Sequence, residues 1–211
     1  YDHMGEGGYR KLEALILAEL KKINSDFKPK ATIRYLRSED QPGVSCYGIS
    51  PELNAGFARG GQLGNLSGLI RELPYFYKYN PARIQMDRLY AAGSWLSLSD
   101  ALRFMGDHYH PDDHVFIAYH AAQVWVLLAA QNPDAGVKVF VDIDGKPISR
   151  TVAGPDVLYD RSGRSYLNVR HPRLFNIIQG ETYAEAKLYL HPCDQGLELY
   201  QFSFGSTPIL R

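Results

Sequence analysis

The sequence predicts an α+β fold, with helices in the first half of the chain and antiparallel strands in the second. Three observations carry this. Leu12, Leu15, Ile16, Leu20 and Ile23 recur at helical spacing, with Glu13, Glu19, Lys21 and Lys22 on the opposite face. Val137 to Ile143 is a run of branched residues closed by Asp144-Gly145, a pair that readily takes the positive φ of a tight type I′ hairpin turn. Thr182 to Leu190 and Leu197 to Phe204 read as two further strands, joined through Pro192-Cys-Asp-Gln-Gly196.

The elements between follow in order. Pro29 ends the first helix, and Ala31 to Leu36 reads as a strand that stops at the turn formers Ser38 to Gly43. Short helices are predicted near Pro51 to Ala58 and Leu66 to Leu73, within a stretch rich in Gly, Ser and Asn. The aromatic run Tyr75-Phe-Tyr-Lys-Tyr79 leads to a helix over Pro81 to Tyr90, because proline suits a first helical position. Ser94 to Ser97 is a short strand, Asp100 to Met105 the start of a helix, and His114 to His120 a strand.

With 211 residues and no internal repeat, the chain is read as one domain, residues 1–211. Lys and Arg number 23 against 23 Asp and Glu, so charge provides no general attraction for a polyanion and no nucleic-acid partner is expected. The longest apolar run, Val124 to Ala130, is far short of the ~20 residues that cross a bilayer. No charged-then-apolar leader opens the sequence, so a soluble mature protein or excised fragment without a membrane partner is expected. Cys46 and Cys193 have neither framework nor metal-type spacing, leaving one bridge or two free thiols equally open.

Three separated segments carry candidate chemistry. Arg37 stands near a strand end before the turn Ser38-Glu-Asp-Gln-Pro42, where a guanidinium fork can grip a phosphate; Arg34 is its nearest competitor and alternates to the other face. Ser97-Leu-Ser99 stands before the predicted helix, which Ser99 can cap. Gln179-Gly-Glu181 leads into a strand, its two polar side chains on one face and Gly180 allowing close approach.

In that order, the three segments resemble the mono-ADP-ribosyltransferase toxins of the cholera-toxin-like, Arg-Ser-Glu class. The resemblance lies in Leu36-Arg37-Ser-Glu-Asp-Gln-Pro42, Ser97-Leu-Ser99 and Gln179-Gly-Glu181 and touches about 25 residues directly. It implies a split β-sandwich with an N-terminal helical region, binding NAD as co-substrate between two small sheets and needing no metal. Arg37 would contact a phosphate of NAD, Ser97 would hold the nicotinamide-ribose strand, and Ser99 would support the turn. Glu181 would hold the ribose 2′-hydroxyl and stabilise the oxocarbenium-like cation as nicotinamide leaves. Gln179 replaces the first Glu of arginine-modifying members, so the resemblance implies a neutral acceptor such as Thr, Ser, Asn or Gln, as in the Rho-modifying exoenzymes and the type III effector that ADP-ribosylates ubiquitin on threonine. Leu98 departs from the family's usual Thr. The implied partner is a host protein, ubiquitin or a small GTPase, touched by Phe175 as an exposed aromatic. The implied setting is a secreted bacterial effector in the host cytoplasm.

Other readings compete. Tyr75 to Tyr79 can serve a non-enzymatic protein-interaction domain as a partner-binding patch. His108, His110 and His114, with Asp107, Asp112 and Asp113, offer ligands for a metal-dependent hydrolase, though in a proline-interrupted turn without a fixed metal spacing. His120 reads as a satisfied core histidine. A thiol protease on Cys46 lacks a partner histidine in any motif.

Overall fold

The computed structural model describes residues 9–29, 45–46, 48–59, 62–206 and 208–209. The predicted strand at Ala31 to Leu36, with Arg34 and Arg37, lies outside them. The chain divides into two compact units, residues 1–47 with 208–211, and residues 48–207. In the first, helix α1 (Tyr9–Ile23) forms as the periodicity predicts, with Lys21 and Lys22 in the last turn where the helix dipole favours cations. Strand β1 (Ser45–Cys46) pairs antiparallel with β13 (Pro208–Ile209).

The second unit is antiparallel sheet. In chain order its strands are β2 (Leu53–Asn54), β3 (Pro74–Tyr77), β4 (Arg88–Ser97), β5 (Leu102–Phe104), β6 (His114–Ala130), β7 (Val137–Ile143), β8 (Lys146–Pro147), β9 (Leu158–Tyr159), β10 (Ser165–Val169), β11 (Arg173–Pro192) and β12 (Leu197–Gly205). The sheet curls on itself. β12 pairs with β5 on one side and β6 on the other, closing a ring β12–β5–β4–β6 from which β11, β7, β10 and β9 extend. β6 is long because one of its edges serves two ladders, beside β4 through Ala118 and beside β12 from Gln123, and β11 is long because it follows β6 along the other edge.

Burial follows the pleat. Leu89, Ala91 and Trp95 of β4, Val115 and Ile117 of β6, Val139 and Val141 of β7, and Leu188 and Leu190 of β11 all enter one apolar core. The hairpin turn is as expected, with Asp144 at φ 50° and Gly145 at φ 75°. Asp142 Oδ1 accepts the Gly145 amide at 2.8 Å and braces it.

The helical first half is corrected. Only a 3₁₀ turn, Pro81–Arg83, forms after the aromatic run, capped by Asn80 Oδ1 on the Ala82 amide at 2.9 Å. The helix signal was real for a single turn, but Asp87 adopts φ 60° and the chain then enters β4, where Leu89 and Tyr90 are both buried. Asp100 to Met105 is likewise no helix: Leu102 and Phe104 alternate into the core around Arg103, which pairs with Glu198 across the ladder. Over Pro51 to Ala58 the regular structure is β2, and Leu66 to Leu73 is turn and bend with one bridge, Arg71 to Ser97. The unit is therefore β-rich, because non-local ladders overrode the local start signals.

Candidate ligand cleft

The face of the sheet opposite the core carries a ladder of aromatic residues. Tyr90, Phe116 and Tyr189 lie directly across from one another on β4, β6 and β11, and Asp142 of β7 continues the row. Phe116 stacks on both Tyr90 and Tyr189, and Tyr189 stacks on His191. Tyr79 covers one end, touching Tyr90 and Phe116 edge-on, so both are buried although they face away from the core. Burial, followed by Tyr79 and Asp142, pushes the Tyr189 hydroxyl up to about 12, which keeps it neutral.

At the other end the row opens into a cleft of about 200 Å³. Tyr109 forms one wall and meets the Phe140 ring edge-on at 5.4 Å. The Arg164 guanidinium also lines it, 4.0 Å from the Phe140 ring centre. The floor carries Asp142 and His191, joined Oδ2 to Nε2 at 2.9 Å. Asp142 also accepts the Gly145 amide, so this carboxylate is fixed by two donors. Beside the cleft, Lys138 Nζ sits 4.5 Å from the Phe140 ring and 4.2 Å from that of Tyr166. The arrangement offers aromatic surface, a planar guanidinium and an oriented carboxylate within one concavity, the composition of a small-ligand site.

The predicted site residues do not assemble around it. Ser97 is completely buried on the core side of β4, and among the described residues its hydroxyl has no hydrogen-bond partner. Glu181 and Gln179 are exposed on β11, at the register shift between the Gln179–Gln123 and Ala184–Ala121 pairs. Gly180 lies against the Ala122 carbonyl, where a Cβ would come within 2.9 Å of that oxygen, so its close approach is to backbone. Ser99 is exposed and meets Asp100 at 3.5 Å. Ser97 and Glu181 thus stand on strands separated by β6, one side chain in the core and the other at the surface. Arg37 is outside the described residues.

Phe175 is a correction: it is 1% exposed and part of the core, with the Arg173 guanidinium 3.8 Å over its ring. An inward position between Leu174 and Asn176 on a half-buried strand explains this. Of the aromatic run, Tyr77 is buried and Tyr79 half-buried, while Tyr75 and Phe76 are exposed on β3. The histidine cluster does not converge. His108 pairs with Asp107 and His110 faces Asp112, both exposed, whereas His114 turns into the aromatic row. Among the described residues no group of three or more His, Cys, Asp or Glu is placed to hold a metal ion. His120 is half-buried, its Nδ1 3.3 Å from Asp87, which also accepts the Ser50 hydroxyl.

Cys193 is a free, half-buried thiol whose pKa burial raises, with Asp194 adding to the shift; this makes it a poor nucleophile. The cleft residues went unread in the sequence, yet a signal exists. Lys138, Phe140 and Asp142 alternate with Val137, Val139 and Val141, putting an aromatic and two charges on the outer face of the clearest hairpin. Tyr166 adds a second aromatic on the neighbouring strand β10, and Arg164 immediately precedes that strand.

A family model described as "Thioredoxin like C-terminal domain" matches residues 50–205, nearly the whole of the second unit. No curated protein matches the chain.

Proposed function

Because the chain belongs to the Thioredoxin like C-terminal domain family, we propose that its sheet unit is a non-catalytic recognition module associated with a thioredoxin-like protein. The ligand in this reading is a small molecule with an apolar face and a polar rim, such as a sugar ring, seated in the Tyr109–Arg164 cleft. One observation carries the reading: the walls and floor of that cleft are pre-set by contacts within the protein, Arg164 on Phe140 and Asp142 on His191. A sugar ring presents C–H groups to an aromatic wall and hydroxyls to an oriented carboxylate and guanidinium, and all three are present. Thiol redox chemistry is assigned elsewhere, because Cys46 and Cys193 are the chain's two cysteines and form no Cys-x-x-Cys pair.

The test is an NMR titration of the isotope-labelled chain with a panel of mono- and disaccharides. Shift changes confined to Tyr109, Phe140, Asp142 and Arg164, and lost in Tyr109→Ala, are expected. Absence of shifts with every sugar, or shifts centred elsewhere, overturns the reading.

A further inference from the structure

The cleft stops at His191, because the rings that continue the aromatic row beyond it are packed against one another. The His191 ring lies 5.2 Å from that of His114 and runs nearly parallel to Tyr189 at 6.1 Å, and Tyr189 in turn stacks on the fully buried Phe116. A ligand ring that reaches the Asp142–His191 floor therefore meets filled structure and cannot be followed inward by a second. Size points the same way. A cavity of about 150 Å³ takes one benzene ring, so the cleft, at about 200 Å³, admits one six-membered ring with its substituents and has no room for two.

Hydrogen bonding at the floor falls to Asp142. His191 has its Nε2 on that carboxylate, and its Nδ1 is buried without a partner among the described residues. Asp142 Oδ1 accepts the Gly145 amide at 2.8 Å and Oδ2 accepts from His191 at 2.9 Å, so each oxygen keeps a second lone pair, on a side chain that is still 21% exposed. A carboxylate is acceptor-only, and two oxygens fixed side by side match two adjacent hydroxyls of a ring. Resting on the cleft reading above, we infer that the site takes one sugar ring at a time, as a free monosaccharide or as the end of a chain, with adjacent hydroxyls on Asp142 and any further rings outside the cleft.

The experiment is an affinity titration of the isotope-labelled full chain, followed by NMR, with matched sets of glucose, galactose, mannose and N-acetylglucosamine, each as the monosaccharide and as its β-1,4-linked dimer and tetramer. In the set that binds, all lengths are expected to bind within about threefold of one another, which assigns the chain end as ligand. Binding of the monosaccharide alone also upholds the single ring and assigns the free sugar. An affinity that rises roughly tenfold or more from monosaccharide to tetramer overturns the inference and leaves the cleft reading standing. No shift with any set overturns the cleft reading and the inference with it. Asp142→Asn puts an amide donor where a lone pair stood and should weaken every length roughly tenfold or more, with thermal melting to confirm folding. Unchanged binding in the folded variant overturns the assignment to Asp142. Should Asp142→Asn fail to fold, Tyr109→Ala, on an exposed loop, takes its place, and unchanged binding there overturns the inference.

Discussion

The rings of His114 and His191 lie 5.2 Å apart, with the Nε2 of the first facing the Tyr79 hydroxyl at 3.2 Å and the Nε2 of the second facing Asp142 at 2.9 Å. Burial, then the neighbouring His191, lowers the His114 pKa from 6.5 to about 4. Folded His114 therefore stays neutral where the unfolded chain already takes up a proton. Its share of stability is fully present above pH 6.5, falls as the pH drops toward 4, and changes no further below that. The loss amounts to about 3 kcal/mol. Denaturant melts of wild type and His114→Leu at a series of pH values check this; the variant should show a flatter slope in that window, and identical slopes would rule His114 out.

Ser97→Ala should leave stability unchanged or raise it by up to about 1 kcal/mol, because the hydroxyl it removes is buried without a partner among the described residues. A clear drop in melting temperature would show that the hydroxyl is satisfied in solution.

Incubated with NAD, the wild-type chain and Glu181→Ala should release nicotinamide at the same background rate, since Glu181 is exposed and Ser97 faces the core. Release or protein labelling that depends on Glu181 would restore the transferase reading and displace the recognition module.

Phe175→Ala should cost about 3–5 kcal/mol, the range for deleting a buried aromatic ring. Phe175 is 1% exposed and also loses the stacked Arg173. A loss within the error of chemical denaturation would return this ring to the surface.

Gly145→Ala isolates backbone conformation, since φ is 75° there and a Cβ would meet nothing within 4 Å. The expected cost is roughly 1–2 kcal/mol, with cleft binding weakened because Asp142 holds the Gly145 amide. Unchanged stability would mean the turn relaxes to another type.

The parts of the fold legible in the sequence are those where local preference and final environment agree. Val137, Val139 and Val141 alternate with Lys138, Phe140 and Asp142, and Asp144-Gly145 closes the turn, so β7 and its hairpin could be read directly. Helix α1 was legible from its periodicity alone, since Leu12, Leu15, Ile16, Leu20 and Ile23 of its apolar stripe are exposed. Where a start signal was followed by a non-local ladder, reading failed: Pro81 does begin a helical turn and Ser99-Asp100 resembles a cap, but Leu89 and Leu102 are claimed by the core through pairings with β6 and β12. The cleft was invisible because Tyr109, Phe140, Arg164 and His191 come from one loop and three separate chain segments, each an ordinary surface position alone. Ser97 and Glu181 show the converse, since residue types in a suggestive order need not share a cavity.

The ring closed by β12 has a consequence in time. Leu197 to Gly205 pair with Ala130 to Gln123, and Glu198 with Arg103, partners synthesised many tens of residues earlier. Until β12 leaves the ribosome, β5 and the second half of β6 expose unpaired edges, and Leu102, Val126 and Leu128 lack their last cover. Such long-range closure makes folding slow and all-or-none. A nascent chain stalled before Leu197 should stay protease-sensitive throughout the sheet unit and should engage holding chaperones, and protection should arrive abruptly once β12 emerges.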